Sequence, residues 1–156
     1  MKHSLPLLFA LASLVFQSCG REDFDTELQV VDNPVEYETI SPVRFCPTSA
    51  IYTSQDKEAL VIIEDAAAYN KEVGCLDVVP NVDFSTHFVL AGRLAFRQCA
   101  SLKDQKLVLQ GSVLRYDLVI EKLDCQKHDT VYFAAKVPLK HRNNAGRLNV
   151  EEFRHL

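Results

Sequence analysis

His87-Phe88-Val89-Leu90-Ala91-Gly92-Arg93-Leu94-Ala95-Phe96 is the stretch on which the fold turns. Side chains of an extended chain point alternately to opposite faces. Phe88, Leu90, Leu94 and Phe96 therefore line one side, while Arg93, followed by Arg97, lies on the other. The alternation predicts a half-buried strand. The same period returns at Leu114, Tyr116, Leu118 and Ile120, interleaved with Arg115, Asp117 and Glu121. Thr130 to Val137 is a further strand. Between these lies a shorter one, Lys106 to Leu109. The polar stretch Ser101 to Gln105 reads as a turn leading into it, and Gly111-Ser112 breaks or bulges it. Gln126 to Asp129 makes another turn.

Upstream, Ala59 to Ile63 is a compact apolar run. It either joins Asp65 to Val73 in one long helix or forms a buried strand before a shorter helix. The β-branched Val61-Ile62-Ile63 favour the second reading. Asp65 is then the N-cap, Ala66-Ala67-Ala68 supply propensity, and Gly74 is the C-cap. Tyr37 to Phe45 has the character of a first strand, ended by the Cys46-Pro47 turn. Cys75 to Asn81 is a loop punctuated by Pro80. Downstream, Pro138 and the polar Lys140 to Gly146 lead to a last element, Arg147 to Phe153, whose type the residues leave open.

Met1 to Cys19 has the anatomy of an export signal. Lys2 and His3 give a basic start, Leu5 to Phe16 is almost wholly apolar, and the run is too short to span a bilayer comfortably. Two processing routes fit. In one, Cys19 becomes the lipidated first residue of a lipoprotein, with Ser18 as the small residue before it. In the other, a signal peptidase cuts after Gly20. Cysteine arithmetic favours lipidation: of five cysteines, four (Cys46, Cys75, Cys99, Cys125) lie in the body, leaving Cys19 unpaired directly after the apolar run. The domains expected are a signal peptide (1–18), an acidic tether (19–34) and a folded domain (35–156). Glu22, Asp23, Asp25, Glu27 and Asp32 make the tether acidic, with few large apolar residues to order it.

Removing the leader leaves under 140 residues, enough for one domain with a real core. Hydrophobic residues make up 47% and charged residues 24%, which excludes a disordered chain. The formal charge is −4, or −5 without Lys2, so no basic excess exists to attract nucleic acid. Four body cysteines in an exported chain read as two disulfides. Zinc is the rival, but the separations of 29, 24 and 26 residues contain no Cys-x-x-Cys pair, so no metal and no cofactor is expected. Three pairings are possible. Strand parity puts Cys99 and Cys125 on the polar side just beyond two strand ends, which favours Cys99–Cys125 and leaves Cys46–Cys75 to tie the first strand to the helix exit.

The order from Leu60 to Leu90 (apolar strand, acidic residue, helix containing Tyr69, then Pro80-Asn81-Val82-Asp83-Phe84-Ser85 and a hydrophobic strand) resembles small uncharacterised Bacteroidetes-type lipoproteins. More weakly, it is similar to the PrcB C-terminal domain family of protease-complex accessory proteins. The likeness covers about residues 49–96. The Gly-Gly-Tyr segment of that family is absent, and Ala95 to Ala100 stands in its place. The resemblance implies a compact α+β domain with a mainly antiparallel sheet and one helix. It also implies an envelope protein partner, with a role as inhibitor or stabilising subunit of an envelope protease.

Few residues mark a site. Asp83-Phe84-Ser85 is either a binding loop or, by the commoner reading, a turn in which Asp or Ser satisfies backbone groups while Phe plugs the core. Ser85 and His87 do not make a nucleophile and base, since convergence in space is required. His128, His141 and His155 are scattered and read as solvated turns or tail. Arg93, Arg97 and Arg115 are the candidate binding residues, as a basic patch weighed against ordinary cross-strand charge pairing. Lys136, Lys140, His141 and Arg142 form a sparser cluster that reads as a solvated loop. No catalytic residue is marked, and a hydrolase without a local motif is the remaining alternative. The expectation is an exported, lipid-anchored cell-envelope protein, disulfide-stapled, with a binding or accessory role and no catalysis of its own.

Overall fold

The alternating segments build one long antiparallel ribbon that is folded over on itself. β4 (His87–Phe96) pairs with β7 (Asp129–Pro138) from His87↔Pro138 to Phe96↔Asp129. The same two chain segments then continue as β5 (Ala100–Gln110) and β6 (Val113–Lys122), paired from Ala100↔Lys122 to Gln110↔Val113. Gly111-Ser112 closes the tip. Gly111 has φ +62° and Ser112 does not share the left-handed region, the requirement of a II′ hairpin turn with glycine first. At residues 97–99 and 123–128 the ribbon bends, and its halves lie face to face. The computed structural model describes residues 31–41, 44–75 and 78–154. The signal peptide, Cys19, the first part of the tether and His155 lie outside the described residues.

Edge strands complete each half. β1 (Asp32–Pro34) pairs with β5, and β8 (Ala145–Arg154) runs parallel to β6. β2 (Glu38–Thr39) pairs with β7, and β3 (Glu58–Ile63) with β4. The result is two four-stranded sheets, ordered β1-β5-β6-β8 and β2-β7-β4-β3. The α+β class with a mainly antiparallel arrangement holds, as two packed sheets rather than one.

Between the sheets, the even-numbered residues of β4 and β6 meet. Phe88, Leu90, Leu94 and Phe96 pack against Leu114, Tyr116, Leu118 and Ile120, with Phe133 and Val137 from β7. Tyr116 and Phe133 touch edge to face at 5.2 Å, the preferred geometry of two ring quadrupoles. The Tyr116 hydroxyl is satisfied by donating to Gln105 Oε1 at 2.8 Å, and burial pushes its pKa up.

The other face of β4 is also buried, because two short helices cover it. α1 (Ala50–Thr53) and α2 (Ala66–Val73) bring Ile51, Tyr69 and Val73 over Val89, Ala91 and Ala134. Asp65 caps α2 by accepting from the Ala68 N–H at 2.7 Å, and Gly74 ends it by donating to the Asn70 carbonyl, as its sequence position implies. α1 is held more indirectly. Ser49 Oγ accepts from the Tyr52 N–H, and the buried Glu72 carboxylate of α2 accepts from the Ala50 and Ile51 N–H groups at 3.4 and 3.3 Å. Cys46–Cys75, with Cα atoms 5.6 Å apart, ties the α1 approach to the end of α2.

Several expectations need correction. The tether boundary at residue 34 is too late, since Asp32–Pro34 already pair with β5. Pro34 is compatible with this because it lies on an edge strand. Of the expected first strand at 37–45, the described residues pair only at Glu38–Thr39. β3 is an edge strand and not buried, with Ile62 42% exposed. β4 is covered on both faces, so it is more than half-buried. Ser101 to Gln105 is strand and not turn: its polar side chains bond across to β6, with Ser101 Oγ donating to Glu121 and Lys103 Nζ lying 2.5 Å from Glu121. A register shift between Leu102 and Asp104 absorbs the irregularity. The C-terminal element is a strand.

Candidate functional site

The bend of the ribbon leaves an open groove of about 670 Å³ at one end of the sandwich. Its floor is Ala95 and Phe96 at the end of β4, and Arg97 and Gln98 continue it into the bend. Gln55 and Lys57 wall one side, ahead of β3. Lys122 from β6, Glu152 from β8 and His128 before β7 close the other. Chain segments far apart in sequence thus meet because the ribbon folds back there.

Charge is distributed unevenly in this groove. Lys122 is ion-paired with Glu152 and lies 6.0 Å from the centre of the Phe96 ring. Among the described residues, the side chains of Lys57, Arg97 and His128 have no hydrogen-bond or ion-pair partner. An overall acidic chain therefore presents two permanent cations and an imidazole on one concavity, with a single carboxylate that is already matched.

The backbone here is closed. The Ala95 N–H donates to the Lys57 carbonyl at 2.8 Å, and Leu123 N–H to the Cys99 carbonyl at 2.9 Å. Cys99–Cys125, with Cα atoms 5.5 Å apart, links the two bending segments. Arg97 and Gln98 immediately precede one of its cysteines, and Lys122 and His128 flank the other by three residues.

The three arginines singled out in the sequence do not form one patch. Arg97 enters the groove. Arg93 lies on the helix-covered side of the second sheet, donating to the carbonyls of Tyr52 (3.0 Å) and Asp56 (3.3 Å). It thereby holds the segment that carries Gln55 and Lys57. Beside it, Tyr52 stacks on Tyr132 with ring centres 6.3 Å apart and planes 8° from parallel. Burial pushes the Tyr132 hydroxyl pKa up, Tyr52 adds to this, and Arg93 opposes it.

Arg115 is on the outer face of the first sheet. It forms a fork to Asp117 (2.6 and 2.9 Å) and reaches Asp32 at 2.8 Å. A smaller polar hollow of about 200 Å³ lies there, but its cations are matched: Arg115 as above, and Lys106 by its approach to Asp117. Cross-strand charge pairing is the right description of this face. The parity of β6 separates Arg115 from the core residues; Arg93 and Arg115 belong to different sheets.

The other candidates are structural. Asp83 Oδ1 accepts from Ser85 N (2.9 Å) and Ser85 Oγ (2.6 Å), holding the turn, while Phe84 packs against Tyr69. These bonds from Ser85, with one that Thr86 Oγ1 donates to Asp83 Oδ2 at 3.1 Å, hold the Asp83 carboxyl below the usual range. Lys136 pairs with Glu38, and Arg142 with Glu64 at 2.6 Å. Among the described residues, no group of three or more His, Cys, Asp or Glu is placed to hold a metal ion. Lys57, Lys122 and Gln55 escaped the sequence reading, because only the register of β3 and the bend of the ribbon bring them to Arg97. No family model, curated protein or solved structure matches the chain.

Proposed function

We propose that this chain is an exported, lipid-anchored envelope protein whose folded domain binds an anionic ligand in the groove at the bend, without catalysis of its own. The observation that carries the reading is the trio Lys57, Arg97 and His128, unpartnered among the described residues in a concavity of an acidic protein. Free cations on a sheet face gain little for the fold, since exposed charges contribute about 0–1 kcal/mol even when paired. Converging on one groove, they raise the local concentration of anions. Export and anchoring rest on the leader and on the four paired body cysteines, which leave Cys19 as the odd one. β1 enters the sheet beside the Gly111-Ser112 tip, whereas the groove lies at the Ala100 end of β5, about 34 Å away. A lipid on Cys19 would hold the domain by the end remote from the groove.

Inorganic sulfate, a glutamate hexapeptide and trigalacturonate form a suitable panel of anionic probes, measured by calorimetry on the full chain. At least one should bind, tenfold more weakly after Lys57→Gln with Arg97→Gln, and more weakly as salt rises. Affinities untouched by that double substitution, or no binding across the panel, would refute the reading.

A further inference from the structure

The groove does not end at its cations. Arg93 is paired across the sheet with Tyr132, and Ala95 with Thr130 two residues on. Antiparallel partners share a face and a two-residue step spans about 7 Å, so Tyr132 stands one step from Ala95 of the groove floor, on the face that Ala95 shares with Arg93. Tyr52 stacks on Tyr132 in near-parallel planes and is 45% exposed. Tyr52 is also only three residues from Gln55 in the groove wall, and Arg93 fixes the segment between Tyr52 and Asp56 from below.

We infer that the ligand is an acidic saccharide, its carboxylates held by Lys57 and Arg97 and one of its sugar rings laid against Tyr52. This deepens the anion-groove reading and rests on it. A sugar ring offers a C–H face to an aromatic ring and hydroxyls to groups that both donate and accept, while a uronic acid adds a carboxylate. The groove and its margin supply a partner for each: the exposed Tyr52 ring beside it, the side-chain amides of Gln55 and Gln98, held by 3.4 Å contacts to the Thr53 and Leu123 carbonyls, and the cations. An acidic peptide fits less well. Extended peptides bind sheets through main-chain ladders; within the groove the Ala95 N–H and Lys57 carbonyl are bonded to each other, and the open edge of β3 does not line it. A lone inorganic anion would leave the tyrosine pair unused.

The test uses the full chain, exported with its own leader and held in nanodiscs of neutral lipid, with calorimetry against trigalacturonate, neutral galactotriose and a glutamate hexapeptide. Trigalacturonate should bind about tenfold more tightly than either of the others. Tyr52→Ala should weaken trigalacturonate about fivefold or more and leave the peptide within about twofold, while Tyr52→Phe keeps the affinity. If the alanine variant does not fold by circular dichroism, Tyr52→Leu is read in its place. Equal affinity for saccharide and peptide, or indifference to the Tyr52 change, overturns the saccharide assignment. In that case, loss of binding in Lys57→Gln with Arg97→Gln leaves the anion groove standing. Indifference to that pair as well removes the groove itself.

Discussion

Cys99 and Cys125 are joined at the bend of the ribbon, between the β4–β7 register, which continued would set residue 99 opposite 126, and the β5–β6 register, which would set it opposite 123. The Cys99 N–H donates to Cys125 Sγ at 3.1 Å, and the Leu123 N–H to the Cys99 carbonyl. The crosslink fastens the two segments that cross from one sheet to the other. Those segments also supply Arg97, Gln98 and His128 to the groove.

Replacing Cys99 and Cys125 together by Ser should therefore do two things. Opening a loop of 26 residues costs about 3.5 kcal/mol in the chain-entropy account, measurable by urea unfolding. The affinity for the tightest anionic probe should fall as well. Replacing Cys46 and Cys75, separated by 29 residues, should cost a similar amount and leave that affinity unchanged.

Arg93 acts on the groove at one remove. Arg93→Lys keeps the charge but loses the planar fork that meets the Tyr52 and Asp56 carbonyls. The expected cost is about 1 kcal/mol in stability, with a weaker grip on the anionic probe although Arg93 does not line the groove. A variant with full affinity and unchanged melting would show that the two bonds position nothing.

Asp117 gives a pH signature. Burial pushes its carboxyl up, but Arg115, Asn149 and Lys106 more than offset this, so it titrates below its ordinary value. A depressed folded-state pKa stabilises above the unfolded value of about 3.9 and loses that contribution as pH falls through the lower folded value. Stability should therefore drop below about pH 4, and Asp117→Asn should flatten that limb in denaturation curves taken from pH 2 to 7.

Gly92 tests the close approach of β3 to β4. A Cβ there would collide with the Ala59 carbonyl and come 2.5 Å from Phe133 Cζ. Neither the backbone nor a ring in the sheet–sheet core can yield freely, so Gly92→Ala should cost about 3 kcal/mol in chemical denaturation. An unchanged midpoint would mean that the two strands are further apart than described.

Much of the fold was legible in local pattern. Alternation at 87–96 and 114–120 identified β4 and β6 and assigned their core faces, Asp65 and Gly74 delimited α2, and parity favoured the observed cysteine pairs. Features set by distant partners were not. Ser101 to Gln105 looks like a turn until Lys103 and Ser101 are seen to meet Glu121 across the sheet. The bend at 97–99 contains neither glycine nor proline to announce it. Nothing in the local pattern singles out Glu72, yet it is buried and satisfies the start of α1. The groove was the least legible part. Of its cations, Arg97 reads as a candidate only as part of a patch with Arg93 and Arg115, which the fold separates, and Lys57, Lys122 and His128 lie on separate segments that the bend brings together.

The most direct test of the central claim is residue-level mapping of binding by amide chemical shifts. The labelled full chain would be titrated with the tightest of the sulfate, glutamate-hexapeptide and trigalacturonate probes. The account predicts saturable changes gathered at residues 55–57, 95–98, 122 and 128, with Arg115 and Asp117 unmoved. Changes centred on the Arg115–Asp117 face, or scattered without saturation, would contradict it.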